Sequence, residues 1–211
     1  MGMEYKIIKS RLAHCIFSLA AAVLCASGII DGYDGTPTFL MYFTYLSNIL
    51  ILGIFAAQFV IELVNVIKKT KVDIPAGIKG LAVISILFTF LTVFFVLSPF
   101  SAPSDWLDAR IHYVVPLLAV LDWVFFDAHC RFRIYHPLCW IFSPVVYFAY
   151  VLVLAICGIK FNGDPFPYFF MDVFEYGWGF VLPMILMLAG VFLVVGAVMT
   201  LCDNIPKLKK K

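Results

Sequence analysis

The residues best suited to chemistry lie at the starts of two apolar segments. Thr44, Ser47 and Asn48 are spaced three and four residues apart, so they share one face if their segment is helical. His112 opens a later apolar segment. A neutral imidazole can take the proton of a threonine hydroxyl near pH 7 and so activate it as a nucleophile. The pattern therefore suggests nucleophilic catalysis by Thr44 and His112, although both residue types also serve as plain hydrogen-bonding groups in membrane helices.

Composition places this chemistry in a membrane. Of the 211 residues, 64% are apolar and only 13% are charged. A soluble domain has roughly 45–50% apolar and about 25% charged residues. An extended run of basic residues interleaved with aromatic ones, as nucleic-acid-binding proteins use, does not occur in the sequence. The chain is therefore expected to be an integral membrane protein with lipid, and not nucleic acid, as its partner.

Six apolar segments are close to the length of about 20 residues that a helix needs to cross the hydrocarbon of a bilayer. The predicted helices cover residues 12–30, 39–67, 78–97, 111–126, 137–158 and 177–201, and the fourth is the shortest. No internal repeat or linker divides the chain. We therefore predict an all-α polytopic protein, a bundle of six transmembrane helices forming one domain over residues 1–211.

The positions of the basic residues predict the orientation of this bundle. Thirteen of the fifteen fall in the N-terminal segment, the second and fourth loops and the C-terminal tail, namely Lys6, Lys9, Arg11, Lys68, Lys69, Lys71, Lys79, Arg131, Arg133, Lys207, Lys209, Lys210 and Lys211. The other loops are acidic, with Asp31, Asp34, Asp105, Asp108, Asp164, Asp172 and Glu175. Because basic loops stay in the cytoplasm, both termini are predicted to be cytoplasmic. The host membrane is a plasma or inner membrane, or the endoplasmic reticulum in a eukaryote.

Helix direction brings the two reactive residues to similar depths. The second and fourth predicted helices both run inward from the outer side. Thr44 then lies roughly 7 Å into its helix, and His112 lies near the start of its own. Asp122 lies roughly 15 Å deeper than His112, too far to orient its ring. The sequence offers no evident partner for the Asp122 carboxylate.

Three segments give the chain a resemblance to a known family. They are residues 42–48, residues 112–118 running on to Asp122-Trp123 and Phe126-Asp127, and residues 164–173 followed by Tyr176-Gly177. In order and spacing the chain resembles the six-pass membrane threonine hydrolases that include the human androgen-induced and androgen-dependent proteins. The Tyr-Leu-Ser-Asn sequence after Thr44 is closer to a bacterial branch of that family.

The resemblance implies a function for the pair. In the human members, a threonine early in the second helix and a histidine early in the fourth hydrolyse fatty acid esters of hydroxy fatty acids. The matching residues here are Thr44 and His112. The departures toward the bacterial branch imply a shared fold and nucleophile pair and leave the exact acyl ester open.

Acyl transfer also requires hydrogen-bond donors for the oxyanion that forms on the substrate. The candidates for this role or for positioning the substrate are Ser47, Asn48, Tyr113, Asp122 and Tyr176. No metal or cofactor is expected to be needed. The alternative function is a proton-coupled transporter or a lipid-binding protein without catalysis, in which Glu62, His112 and Asp122 mark a path for protons or substrate.

The fourth loop combines residues that could bind zinc. His129, Cys130, His136 and Cys139 lie close together in sequence, but their spacing matches no common zinc pattern, and two arginines between them repel a cation. We expect no metal here. The six cysteines are expected to be reduced, because a disulfide framework is typical of short secreted chains.

Overall fold

The computed structural model describes residues 5–97 and 109–208. All predicted site residues fall within these ranges, whereas Asp105, Asp108 and the lysines at 209–211 lie outside them. The helices are α1 Arg11–Asp31, α2 Phe43–Lys68, α3 Ala76–Thr92, α4 Val115–Phe126, α5 His136–Trp140, α6 Phe142–Ile156, α7 Val173–Tyr176 and α8 Trp178–Leu208. The described part of the chain contains isolated β-bridges but no β-strand.

Five helices of the described chain are long and apolar enough to cross a membrane. They are α1, α2, α3 with its extension to Leu97, α5 and α6 taken together, and α8. The fourth predicted span is helical, but it consists of a five-residue π-helical turn, Arg110–Val114, and the twelve residues of α4. That length falls short of the roughly 20 residues of a full span. The chain is therefore an all-helical membrane-embedded protein.

Contacts between loops define the two ends of the bundle. At the basic end, which carries Lys6, Lys68 and Arg131, the His129 amide donates to the Tyr5 carbonyl at 2.8 Å. The Cys130 amide also donates to the carbonyl of Asp203 near the end of α8, at 2.9 Å. The N-terminal segment and the last turns of α8 thus meet the same loop. The acidic end, which carries Asp31, Asp34 and Asp164, lies at the opposite ends of the helices.

The location of Lys79 differs from the predicted one. The sequence pattern counted it among the basic residues of the second loop, but α3 begins at Ala76 and includes it. Its side chain is buried, with 4% of the residue exposed. A buried ammonium requires negative partners, and Lys79 has two, Asp122 and Asp127. The basic residues of that loop are therefore Lys69 and Lys71, which follow Lys68 at the end of α2.

Candidate functional site

A π-helical turn carries His112 and is fixed to α1 through Arg110. The guanidinium of Arg110 donates to the Asp31 carboxylate and to the Ser27 hydroxyl, each at 2.8 Å. Arg110 is 7% exposed, whereas the Asp31 side chain is 55% exposed, so the ion pair lies at the edge of the bundle. Turns of π-helix occur often at functional sites because the wider backbone presents side chains in an unusual direction. The Arg110 contacts set the position of the turn along α1.

The neighbouring residue of the same turn packs against α1 and α2. A Cβ atom on Gly28 would lie 2.7 Å from Cγ2 of Ile111, so only glycine allows this approach of α1 to the turn. The Asn48 amide donates to the Ile111 carbonyl at 3.2 Å. The backbone immediately before His112 is therefore held by both helices.

Thr44 lies in the first turn of α2, beside this turn. It is 6% exposed, and its hydroxyl oxygen lies 3.3 Å from Nε2 of His112. The ring nitrogen accepts the hydroxyl proton when the imidazole carries its own proton on Nδ1. The structure thus brings together the two residues predicted from the sequence, at direct hydrogen-bond distance.

An apolar cavity of about 140 Å³ adjoins the other side of Thr44. Its volume is close to that of an engineered cavity of about 150 Å³ that binds benzene. The lining side chains include Phe43, Phe88, Val93, Phe148, Ile185 and Leu188. The Thr44 hydroxyl therefore stands between an imidazole and a space suited to a hydrocarbon group.

Tyr168 is a residue of this site that the sequence analysis missed. It lies in the loop between α6 and α7, lines the cavity, and interacts through its phenol with the Thr44 side chain. Burial raises the pKa of the Tyr168 phenol, against the opposing effect of Thr44. The phenol therefore keeps its proton at neutral pH and is available as a donor beside the nucleophile.

The start of α2 also supplies backbone donors. The first amides of a helix have no partner within the helix, and the N-cap residue Tyr42 provides no side-chain hydrogen bond to them. The Tyr168 phenol interacts with the backbone of Thr44 and Phe43 at this point. The first amides of α2 and the Tyr168 phenol thus lie close together beside the nucleophile, where donors for an oxyanion are required.

Ser47 and Asn48 form hydrogen bonds within the protein and do not face the cavity. The Ser47 hydroxyl lies 2.7 Å from that of Thr89 and donates to the Thr44 carbonyl at 3.0 Å. The Asn48 amide donates to the Thr44 carbonyl at 2.8 Å, besides its bond to the turn that carries His112. Both side chains therefore fix the backbone around the Thr44–His112 pair, and neither lines the cavity.

The other three candidates lie away from the cavity. Tyr113 packs edge-on against Phe90, with ring centroids 5.7 Å apart. Tyr176 is exposed at the acidic end. Asp122 is 1% exposed and contacts His14 and Lys79 instead. The partner that the sequence did not reveal for the Asp122 carboxylate is thus supplied by two other helices.

Asp122 belongs to a group of six charged side chains, which we call the ionic cluster. Its members come from α1, α2, α3 and α4 and from the residue after α4, and they are Arg11, His14, Glu62, Lys79, Asp122 and Asp127. Of the three residues that the transporter alternative joins in one path, Glu62 and Asp122 lie in this cluster, whereas His112 lies at the acidic end with Thr44.

The ionic cluster has the donor atoms of a metal site but already contains a cation. Ligand atoms of His14, Asp122 and Asp127 lie within 4.8 Å of one another. The Lys79 ammonium contacts both carboxylates, at 2.7 Å from Asp122. It therefore supplies the positive charge that a bound metal ion would bring.

The histidines of the fourth loop are used in hydrogen bonds within the protein. The His129 ring lies 3.2 Å from the Asp203 carboxylate and 2.8 Å from the Val124 carbonyl. The contact with Asp203 raises the pKa of His129. His136 accepts from the Arg133 amide at 3.2 Å. Both rings thus fix the loop at the basic end.

Comparison of the chain with known protein families, with curated proteins and with solved structures finds no match.

Proposed function

We propose that this chain is an intramembrane hydrolase of lipid esters, with Thr44 as the nucleophile and His112 as the general base. The observation that carries the proposal is the 3.3 Å approach of the Thr44 hydroxyl to Nε2 of His112 beside an apolar cavity. The resemblance to the membrane threonine hydrolases favours fatty acid esters of hydroxy fatty acids, or related acyl esters, as the substrates.

The first half of the reaction forms an acyl-enzyme. The Thr44 oxygen attacks the ester carbonyl while its proton passes to Nε2 of His112. The tetrahedral intermediate then collapses, the bond to the alcohol oxygen breaks, and His112 returns the proton to the leaving alcohol. In the second half, His112 takes a proton from water, the resulting hydroxide attacks the acyl-threonine, and the carboxylic acid leaves as the proton returns to Thr44.

The oxyanion is assigned to the start of α2. The amides of Phe43 and Thr44 and the phenol of Tyr168 converge beside the nucleophile. Fixed donors of this kind stabilise the negative charge that develops on the carbonyl oxygen and cost no reorganisation during the reaction. On this assignment the substrate carbonyl oxygen binds beside the Tyr168 phenol and the two amides, which all donate to it.

A lateral groove offers the substrate a way in from the bilayer. The groove has a volume of about 410 Å³ and lies between α2, α3 and α6. Phe43 and Tyr147 line both this groove and the cavity. If the basic end faces the cytoplasm, the site lies in the outer leaflet. An ester that enters the cavity from the groove passes the rings of Phe43 and Tyr147.

Replacing His112 with glutamine is expected to lower kcat for ester hydrolysis by about 10²–10⁴-fold and to change KM little, because glutamine cannot accept the Thr44 proton. The measurement is steady-state release of fatty acid by purified protein in detergent. His136→Gln is the matched control, since His136 lies at the basic end, and it should keep full activity. Equal activity of His112→Gln and the control would contradict the proposed base.

Replacing Tyr168 with phenylalanine is expected to lower kcat by about 10²-fold or more, because it removes one donor beside the oxyanion and leaves the ring in place. The matched control is Tyr176→Phe, which removes a phenol oxygen that does not line the cavity. A loss of activity in the control as large as that in Tyr168→Phe would count against the assigned oxyanion site.

A further inference from the structure

Four of the six side chains of the ionic cluster are almost completely withdrawn from solvent. The exposed fractions are 1% for Glu62 and Asp122, 3% for His14 and 4% for Lys79. Buried charges are costly unless they are paired. The proposed hydrolysis uses no member of this cluster, so the inference drawn from it does not depend on that function.

His14 joins the two halves of the cluster. Its Nε2 lies 2.8 Å from an oxygen of Asp122, and its Nδ1 lies 3.3 Å from an oxygen of Glu62. The other oxygen of Glu62 contacts Arg11 at 2.8 Å, and that of Asp122 contacts Lys79 at 2.7 Å. Carboxylates held by cations in this way are ionised and can only accept hydrogen bonds. Nε2 therefore donates to Asp122, and Nδ1 faces the Glu62 carboxylate at ion-pair distance, so both carboxylates favour His14 as an imidazolium.

The balance of charge within the ionic cluster also favours the protonated form of His14. The cluster holds three carboxylates, and Arg11 and Lys79 compensate two of them. A protonated His14 brings the sum to zero while all three carboxylates stay ionised. The imidazole of His14 also stacks on the uncharged ring of Phe126, with ring centroids 4.8 Å apart. Loss of the proton leaves one excess negative charge and turns an imidazole lone pair toward a carboxylate.

Two crevices connect the cluster with the basic end. One has a volume of about 80 Å³ and is lined by His14, Glu62 and Arg11, with Lys6 and Lys9 also in its wall. The other, of about 20 Å³, is lined by Lys79, Asp127 and Trp123. Spaces of this size can hold water. Protons therefore have a short path between the surface of the basic end and both sides of the cluster.

We propose that the ionic cluster is a proton-binding site that exchanges with the basic end of the bundle, with His14 as the group that takes up and releases the proton. Protonated His14 links α1 to α2 and α4. Its release of the proton removes that link and loosens the start of α1.

The test is the unfolding temperature of the purified full chain in lipid nanodiscs, measured across the pH range in which the protein stays folded. The wild type should show a step with a fall of about 5–10 °C as His14 loses its proton. His14→Gln should lack this step, because glutamine does not titrate there. His136→Gln is the matched control and should keep it.

A second variant, His14→Lys, guards against a failure of His14→Gln to fold. Lysine restores the positive charge that the balance requires, so this variant should fold and remain insensitive to pH at this step. ¹⁵N spectra of histidine-labelled wild type should also show an imidazole protonated at both nitrogens that is missing in His14→Lys. A wild type without the step, or a step that persists in His14→Lys, would overturn the proposal.

Discussion

Replacing Thr44 with alanine is expected to lower kcat/KM for ester hydrolysis by at least about 10³-fold, because it removes the hydroxyl that lies 3.3 Å from Nε2 of His112 and forms the acyl-enzyme in the proposed reaction. The assay is the same release of fatty acid by purified protein in detergent. Thr44→Ser should retain part of the activity, since it keeps the oxygen and loses only a methyl group.

The matched control for this prediction is Thr200→Ala. Thr200 is a threonine of α8 whose hydroxyl donates to the Gly196 carbonyl at 2.9 Å, remote from the cavity lining. Its activity should equal that of the wild type. The unfolding temperature of each variant shows whether a loss of activity comes from a loss of folding. Thr44→Ala with normal activity would remove Thr44 from the proposed reaction.

Replacing Lys79 with methionine is expected to destabilise the protein by about 3–5 kcal/mol, because Asp122 and Asp127 then lose the cation that they share. For a chain of this length that corresponds to a fall in unfolding temperature of about 10 °C. The measurement is thermal unfolding in detergent at neutral pH.

The control for the Lys79 prediction restores the charge. Adding Asp127→Asn to Lys79→Met removes one excess carboxylate and should recover more than half of the lost unfolding temperature. Recovery separates the effect of charge from the effect of lost packing, since the methionine is present in both proteins. A double variant no more stable than Lys79→Met alone would show that the Lys79–Asp127 contact contributes little.

The Thr44–His112 pair could be predicted because it depends on simple geometry. Apolar length placed the helix starts to within a few residues, although α2 begins at Phe43 and not at residue 39, and the common direction of the two helices put both residues near the same end. The short π-helical turn before α4 could not be predicted, since it depends on Arg110 reaching Asp31 and on Gly28 admitting Ile111. Contacts between distant parts of the chain decide that local structure.

The ionic cluster could not be predicted from the sequence. Lys79 stands just inside an apolar segment and resembles a loop residue until its carboxylate partners are known. His14 pairs with Asp122 across 108 positions of the sequence, and no spacing rule connects them. Pairings of this kind become visible only once the helices are packed.

Tyr168 was missed for a different reason. Its segment, residues 164–173, carried part of the family resemblance, but none of its residues was named as a candidate for the site. Tyr168 is the one residue of that segment with a phenol oxygen. An aromatic run that contains a single hydroxyl was a signal that could have singled it out, since a buried tyrosine hydroxyl usually has a polar partner.

The most direct test of the central claim is the location of a covalent adduct. Purified protein treated with a fluorophosphonate probe, digested and examined by mass spectrometry should carry the adduct on Thr44, and His112→Gln should reduce the labelling. An adduct on another residue, or ester hydrolysis by a protein that the probe leaves unlabelled, would contradict Thr44 as the nucleophile.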